Sequence, residues 1–344
     1  MFEFYTKSIR MSDALLALHS STGLVTPMDV KTWFGLFSHD RGLIGAVGVE
    51  KGLIQGLVID SAYRGKDLTA TLVEAVLREA MLSGESSLYV YTKPENARVF
   101  ESIGFRRILE VKPYAYLLEW GEKSLSIYLE QLKGYRILEA GERGCVVVNC
   151  NPFTLGHQYL IQYAASRCDH LFVLVVEEDQ SLFAFADRLE MIRLGTAHLN
   201  NVSLIPGGRY LVSALTFPSY FTRQEAYAHA QIAVDVSLFK TYIAPSLEIT
   251  KRFIGTEPYS LVTAYYNQEM LRSLPTLGIE VEVLPRLTLN NSPISASRVR
   301  RLLQEDRWEE LSEYVPHSTY CFLKRNAPHR NWYEQKGYIE DGDS

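Results

Sequence analysis

Several absences narrow the possibilities before any motif is considered. No apolar run, Leu171–Val176 included, approaches the ~18–20 residues needed to cross a bilayer. Met1 to Arg10 carries Glu3, Lys7 and Arg10 and has no apolar core of the kind a signal peptide requires. Together these predict a cytoplasmic protein with no membrane association. Cysteine is scarce. Cys145, Cys150, Cys168 and Cys321 are the only four in 344 residues, with no CxxC pair and no histidine set at zinc spacing. Reduced thiols and no protein-built metal site are expected. Basic excess is missing too: the formal net charge is -5, whereas broad nucleic-acid binding needs a basic surface to displace counterions from phosphates. There is no internal repeat or low-complexity tract, and the charged, tyrosine-rich tail after Asn326 carries no pattern.

What is present is an ordinary globular composition, 47% hydrophobic and 22% charged, in a length that suggests two domains. In the first ~120 residues, Leu43–Val49 and Gly56–Ile59 have the bounded apolar character of strands. Leu68–Leu82 repeats apolar residues at three- and four-residue steps through Leu68, Leu72, Ala75 and Val76, the period of an amphipathic helix. A strand at Ser87–Tyr91, a helix from about Asn96 to Ser102 and a strand at Tyr114–Leu118 follow. Gly121–Ser126 is polar enough for a linker, and Ile127–Gly141 reads as a connecting helix and turn. The expected division is therefore 1–125, a connector at 126–143, and 144–344.

From Gly144 onward, strand-like runs alternate with amphipathic stretches: Val146–Asn149, His157–Ser166, His170–Val176, Asp187–Leu199, Val202–Pro206, Gln224–Leu238, Tyr242–Ala244, Arg252–Gly255, Ser260–Ser273, Glu280–Leu284 and Ser295–Gln304. Such alternation predicts an α/β domain, a Rossmann-like parallel sheet with helices on both faces. In open sheets of this type ligands bind at the carboxyl ends of the strands, where strand order reverses. A motif just after Val146–Asn149 is in the right place.

That motif is Cys145-Val-Val-Val-Asn-Cys-Asn-Pro-Phe-Thr-Leu-Gly-His157, a buried strand, a turn and a helix start. Pro152 and Gly156 shape the turn, and Gly156 leaves room for close backbone approach. The helix opening near His157 offers free N–H groups and a positive dipole end. Thr154 and His157 add side-chain donors, which adenylyl transfer needs because charge spreads over the α-phosphate oxygens as pyrophosphate leaves. Cys150 is either functional there or a small packed residue. Near the other end, Ile294-Ser-Ala-Ser-Arg-Val-Arg300 opens a helix with hydroxyls in its first turn. It is a second anion site, or else Ser295 is merely a cap and Arg298, Arg300 and Arg301 a solvated face.

The two motifs together resemble the signature of the HxGH nucleotidyltransferase superfamily, with Thr154 where many members carry His. The resemblance implies ATP contacts from Thr154, His157, Ser295, Ser297 and Arg300. Asn149–His157, Pro206-Gly-Gly-Arg-Tyr210, Thr216-Phe-Pro-Ser-Tyr-Phe221, Arg252-Phe-Ile-Gly-Thr-Glu-Pro258 and Ala264-Tyr-Tyr-Asn-Gln268 resemble, over nearly the whole chain, the [citrate (pro-3S)-lyase] ligase family. That resemblance implies an ATP- and Mg2+-using, AMP-forming ligase that acetylates the thiol of the citrate lyase acyl carrier protein, with acetate as the acid and the phosphoribosyl-dephospho-CoA arm as acceptor. Within these motifs Asn151, Phe153, Gly156, Arg209 and Gly255 join Ser295 and Ser297 as nucleotide-binding candidates, and His157, Thr154 and Arg300 are the catalytic ones. Lys251 and Arg252 are further candidate donors. Thr256 replaces an acidic residue of many relatives. Arg209 can pair with a carboxylate or phosphate through its planar fork, or simply face solvent.

Val58-Ile-Asp-Ser-Ala-Tyr-Arg-Gly-Lys-Asp-Leu-Thr69 and Asn96-Ala-Arg-Val-Phe-Glu-Ser-Ile-Gly-Phe105 resemble the GNAT acetyltransferase fold, in which a glycine-rich turn presents N–H groups to a pyrophosphate. Arg64 and Gly65 persist. Asp67 and Thr69 stand in places that usually hold glycine or alanine, and Asp67 brings negative charge toward a pyrophosphate. The expectation is recognition of a CoA-like prosthetic arm or its carrier rather than acetyl-CoA catalysis. Two other readings stay open: a nucleotidyltransferase making a nucleotide cofactor, and a non-catalytic protein that binds an adenine nucleotide and a carrier.

Overall fold

The computed structural model describes residues 4–28, 30–64, 68–122, 124–137, 141–177, 181–211, 224–256, 261–290 and 292–327, with backbone alone for 224–229, 231 and 261–263. Gly65 and Asp67, the Thr216–Phe221 motif, and Glu257 and Pro258 lie outside the described residues. The chain divides into two compact units, Met1–Ile127 with Thr216–Ser237, and Tyr128–Leu215 with Leu238–Ser344.

The first unit runs β1 (Phe4–Ile9), α1 (Asp13–Ser21), β2 (Thr32–Ser38), β3 (Gly42–Glu50), β4 (Leu53–Ile59), α2 (Leu68–Ser83), β5 (Ser87–Thr92), α3 (Ala97–Ser102), β6 (Arg106–Val111) and β7 (Ala115–Gly121). Its sheet has the order β1-β2-β3-β4-β5-β7-β6 and is antiparallel except at β4 and β5. Successive side chains of a strand point to opposite faces. In β2, Trp33 therefore packs with Leu15 and Leu18 of α1, while Phe34 and Leu36 pack with Leu72, Val73 and Val76 of α2. Because both faces are apolar, β2 shows no alternation in sequence. In α2 the buried stripe is Leu68, Leu72, Val73, Val76, Leu77 and Ala80; Ala75 sits at its margin. The parallel pair β4 and β5 is in register only at Leu53↔Tyr89 and Ile54↔Val90. Around that opening lies a cavity of about 570 Å³ lined by residues that include Leu57, Ile59, Arg64, Tyr91, Lys93 and Phe100.

The linker expected at Gly121–Ser126 is not an open one. Glu119 is 2% exposed, and its carboxylate accepts from the Ser124 hydroxyl and, at 3.1 Å, from the Leu125 N–H. The second bond satisfies an orphan N–H of a helix start and the first ties Ser124 to the same carboxylate, so α4 (Ser124–Lys133) begins inside the polar stretch.

Then follow β8 (Arg143–Val148), α5 (Leu155–Ser166), β9 (His170–Val175), α6 (Phe185–Thr196), β10 (Val202–Pro206), α7 (Gln224–Leu238), α8 (Ala244–Leu247), β11 (Lys251–Gly255), α9 (Leu261–Ser273), β12 (Glu280–Leu284), the short pair β13 (Thr288–Leu289) and β14 (Ser292–Pro293), α10 (Ala296–Gln304), α11 (Trp308–Leu311) and α12 (His317–Asn326). Tyr242–Ala244, too short to reveal a period, lies in helical backbone, a π-helical turn at Phe239–Ile243 leading into α8. The five parallel strands have the order β10-β9-β8-β11-β12. The chain moves outward from β8 through β9 to β10, then returns to the other side of β8, so strand order reverses between β8 and β11. β8 and β9 are paired along their full length, from Arg143↔His170 to Val148↔Val175. β8 and β11 pair only at Gly144↔Lys251 and Cys145↔Arg252, so they part toward their carboxyl ends. The core below that opening joins Val146, Val148, Phe153, Ile161, Val173, Met191 and Phe253, with Leu323 of α12, a helix the sequence pattern had not revealed. Among the described residues no helix is long and apolar enough to cross a membrane.

Candidate active site

The turn after β8 is held from beneath by a buried arginine. Arg188 on α6 is fully buried and donates from Nε to the Phe183 carbonyl at 3.1 Å. Its Nη1 donates to the Asn149 carbonyl (2.8 Å), to Asn149 Oδ1 (2.7 Å) and to the Val176 carbonyl (2.8 Å). One guanidinium thus ties the ends of β8 and β9 to the segment before α6. Asn151 Oδ1 accepts from the Phe183 N–H at 3.1 Å, and Asn149 Nδ2 donates to Ser181 Oγ at 3.2 Å. Between them Cys150 takes a left-handed backbone at φ 55° and is 1% exposed. Burial pushes its thiol well above the usual range. It is a small packed residue, the bland alternative at that position.

Phe153 is fully buried and stacks against the His157 ring, centroids 6.0 Å apart and planes 17° from parallel. Gly195 makes room for it, since a Cβ there would stand 2.3 Å from Phe153 Cε1. Thr154 caps α5 in extended backbone, which places the helix start at Leu155, two residues earlier than the sequence suggested. Its Oγ1 accepts from the His157 N–H at 3.4 Å, while the Thr154 N–H donates to His157 Nδ1 at 3.0 Å. A nitrogen that accepts carries no proton, so the neutral imidazole has its hydrogen on Nε2. The Thr154 hydroxyl, 2.9 Å from the same Nδ1, then turns its hydrogen to the ring rather than outward. Burial, with the nearby Arg286 guanidinium adding to it, holds His157 down at about 4, which keeps it neutral at pH 7. The result is a fixed N–H donor at the amino end of α5.

The second helix start comes to the same place. Ser295, in extended backbone, caps α10 by accepting from the Arg298 N–H at 3.2 Å, and Ser297 Oγ donates to Ser295 Oγ at 3.1 Å. A Cβ on Gly156 would lie 3.5 Å from the Ile294 carbonyl, ordinary contact, so the two turns touch at this glycine. Arg300 Nη1 donates to the Asn151 carbonyl at 2.8 Å, and the Leu155 N–H donates to the Tyr314 carbonyl at 2.9 Å. Arg298 is engaged with the Glu310 carboxylate.

Gly255 ends β11 with open space where a Cβ would be, and its carbonyl accepts from Asn267 Nδ2 at 2.9 Å. The next residue, Thr256, accepts twice from Arg286, from its main-chain N–H (Oγ1, 3.1 Å) and from Nε (carbonyl, 3.0 Å). Lys251 and Arg252 are not brought to this end. They begin β11, roughly 10–13 Å from its last residue at ~3.3 Å per residue. Lys251 lies between Glu142 and Glu280, at 3.6 and 3.3 Å, and Arg252 is buried over the Phe239 ring with Nη1 on Cys145 Sγ. Arg209 is exposed in the turn after β10, the edge strand two positions from β8, or about 10 Å at ~4.8 Å per strand. Asn151, Phe153, Thr154, Gly156, His157, Ser295, Ser297 and Arg300 therefore form one cluster, bordered by Gly255, with Arg209 off to one side. Nothing in the sequence singles out Arg188, Gly195 and Arg286, because a lone arginine or glycine carries no local mark of what it will meet.

The sequence family described as the citrate lyase ligase C-terminal domain matches residues 143–323, and the acetyltransferase (GNAT) domain family matches residues 29–115. Among curated proteins, the [citrate [pro-3S]-lyase] ligase of Klebsiella pneumoniae is 39% identical over 297 residues, 84% of this chain and 86% of that protein. Its counterpart in Escherichia coli (strain K12) is 37% identical over 299 residues, covering 85% and 84% respectively. A phosphopantetheine adenylyltransferase of Corynebacterium glutamicum (strain R) is 26% identical over 141 residues, 39% of this chain and 84% of that one.

Proposed function

The chain belongs to the citrate lyase ligase family, and on that footing we propose that it is an ATP-dependent enzyme that acetylates the thiol of the citrate lyase acyl carrier protein. One geometric fact carries the reading for the residues themselves: two helix starts, capped by Thr154 and Ser295 and bridged through Gly156 and Arg300, meet where strand order reverses. A polyanionic nucleotide tail suits such a pair of N–H-rich ends.

In the first step an acetate oxygen bonds to the α-phosphorus of ATP and the bond to pyrophosphate breaks. The His157 Nε2–H, which stays protonated, donates to a phosphate oxygen as charge accumulates there. Thr154 acts through His157, holding its tautomer and tilt. Arg300 and the Ser295 hydroxyl steady the departing phosphates, with Ser297 donating to Ser295 and holding it in place. In the second step the carrier thiol, its proton passing to solvent, attacks the acetyl carbon with its sulfur. The bond to AMP breaks, and AMP leaves. Positioning and charge stabilisation suffice, with no covalent enzyme intermediate.

Among the described residues no group of three or more His, Cys, Asp or Glu side chains is gathered to hold a metal ion. The Mg2+ expected with ATP would draw its oxygen ligands chiefly from nucleotide and water and would supply positive charge to offset that of the phosphates. For the acceptor, we assign the CoA-like phosphoribosyl-dephospho-CoA arm to the cavity of the first unit, whose apolar walls with Arg64 and Lys93 suit a pantetheine chain ending in phosphates. We place the reaction in the cytoplasm.

The test is product analysis with ATP, acetate and carrier protein. AMP and acetyl thioester appearing together support the ligase. Pyrophosphate released with a nucleotide-containing product and no AMP would indicate a cofactor-forming transferase, and ATP binding with no turnover would indicate a binding protein.

A further inference from the structure

We propose that Arg286, at the carboxyl end of β12, is a cation for the β- and γ-phosphates of ATP; this rests on the nucleotide reading above and extends the same site. No motif marks the residue, which follows Pro285 after β12. The tertiary structure gives it a place. Its main-chain N–H and its Nε are both fixed on Thr256, at 3.1 and 3.0 Å, and the Thr256 N–H in turn donates to the Leu284 carbonyl at 2.7 Å. These three bonds hold the guanidinium over the carboxyl ends of β11 and β12, on the side of β8 opposite Arg209.

Three further observations aim it at the nucleotide. Beside it, at Gly255, a Cβ would meet nothing within 4 Å. β8 and β11 have already parted at this level, so an opening separates the end of β11, where Arg286 is fixed, from the end of β8, which leads into the turn that carries His157. Finally, Arg286 is the charged group whose field reaches His157 and disfavours its protonation. A phosphate that accepts from His157 therefore lies within that same field, where a cation stabilises it by attraction as well as by hydrogen bonding. His157, being neutral, supplies a donor but no charge, and Arg286 complements it in the respect that matters for a leaving pyrophosphate.

The competing role is a stitch between β11 and β12 with no ligand. Calorimetric titration of the full-length protein with ATP, pyrophosphate and AMP separates the two. Arg286→Gln keeps a planar amide and removes the charge. It is expected to weaken ATP and pyrophosphate about 10–100-fold, the usual worth of a hydrogen bond to a charged group, while AMP changes less than about twofold, with Arg286→Lys recovering most of the loss. Equal weakening of all three ligands, or none with only a lower melting temperature, overturns the proposal. A second measurement needs no variant: phenylglyoxal labelling of Arg286 in the wild-type protein, read by mass spectrometry, is expected to be blocked by pyrophosphate and not by AMP, and equal labelling with and without pyrophosphate overturns it. Loss of acetate-dependent turnover plays no part in either readout, so failure of the ligase reading and failure of this one are distinguishable.

Discussion

Arg300 Nη1 donates to the main-chain oxygen of Asn151 at 2.8 Å, joining positions 149 residues apart. Asn151 lies in the turn that leads into α5, and Arg300 lies one turn into α10. A single hydrogen bond thus couples the two helix starts, and what loosens either turn reaches the other.

His157→Ala removes the Nε2–H donor, and the deletion of one preorganised donor typically costs about 100–1000-fold in turnover. Acetate-dependent AMP formation is expected to fall by that factor with the melting temperature nearly kept, because the Thr154 side chain still caps the helix. Turnover within about threefold of wild type would remove His157 from the chemistry.

The pH dependence of stability follows from His157 being held at about 4 against an ordinary value near 6.5. Above about 6.5 the ring is neutral both folded and unfolded, and it contributes nothing. Between about 6.5 and 4 the unfolded chain takes up a proton that the folded site refuses, so stability falls as the solution is acidified. Denaturant midpoints measured from pH 7 to 4 are expected to decline less steeply in His157→Gln than in wild type; parallel curves would contradict the assignment.

Gly195→Ala pits two effects against each other. Alanine inside a helix is worth roughly 1 kcal/mol over glycine, but the new methyl would lie 2.3 Å from the fully buried Phe153, and overpacking costs ~1–3 kcal/mol. Packing is expected to win, with the melting temperature dropping by a few degrees. Because Phe153 supports the His157 ring, turnover is expected to fall further than stability alone accounts for, as a kcat loss at 20 °C where the protein remains folded. A more stable and fully active variant would show that Phe153 has room to move.

Arg188→Met deletes the guanidinium that serves three main-chain carbonyls while keeping an apolar side chain of similar length. Each carbonyl left without its donor costs on the order of 1–3 kcal/mol, so chemical denaturation should register a loss of several kcal/mol. Arg188→Lys is expected to recover little, since one ammonium cannot span the three acceptors. An unchanged denaturation midpoint in Arg188→Met would rule out the latch.

Periodicity and turn chemistry made much of this molecule legible in advance. The β–α alternation after Gly144 signalled a parallel sheet, and the helix start at Ser295 stands where the sequence put it, while α5 begins at Leu155, two residues before the expected opening near His157. β2 was missed because its two apolar faces erase the alternation, and α12 because its short amphipathic run abuts the featureless tail. The linker at Gly121–Ser126 misled for a related reason: the stretch holds the start of α4, whose Leu125 N–H is taken by the buried Glu119 before it, and composition does not separate a helix start from a tether.

Local pattern was enough to specify most of the longer helices and to single out Thr154, His157, Ser295 and Arg300 as candidates, since periods and turn motifs are properties of a few neighbouring residues. It could not specify that β11 returns to the far side of β8. That strand order brings Arg286, fixed on Thr256 at the end of β11, to the strand next to β8, leaves Arg209 at an edge and turns Lys251 toward Glu142 and Glu280 at the opposite end. The reason is physical: whether an arginine faces an anion depends on which strand ends adjoin, and that is settled by burial of the whole sheet rather than by any residue's near neighbours in the chain.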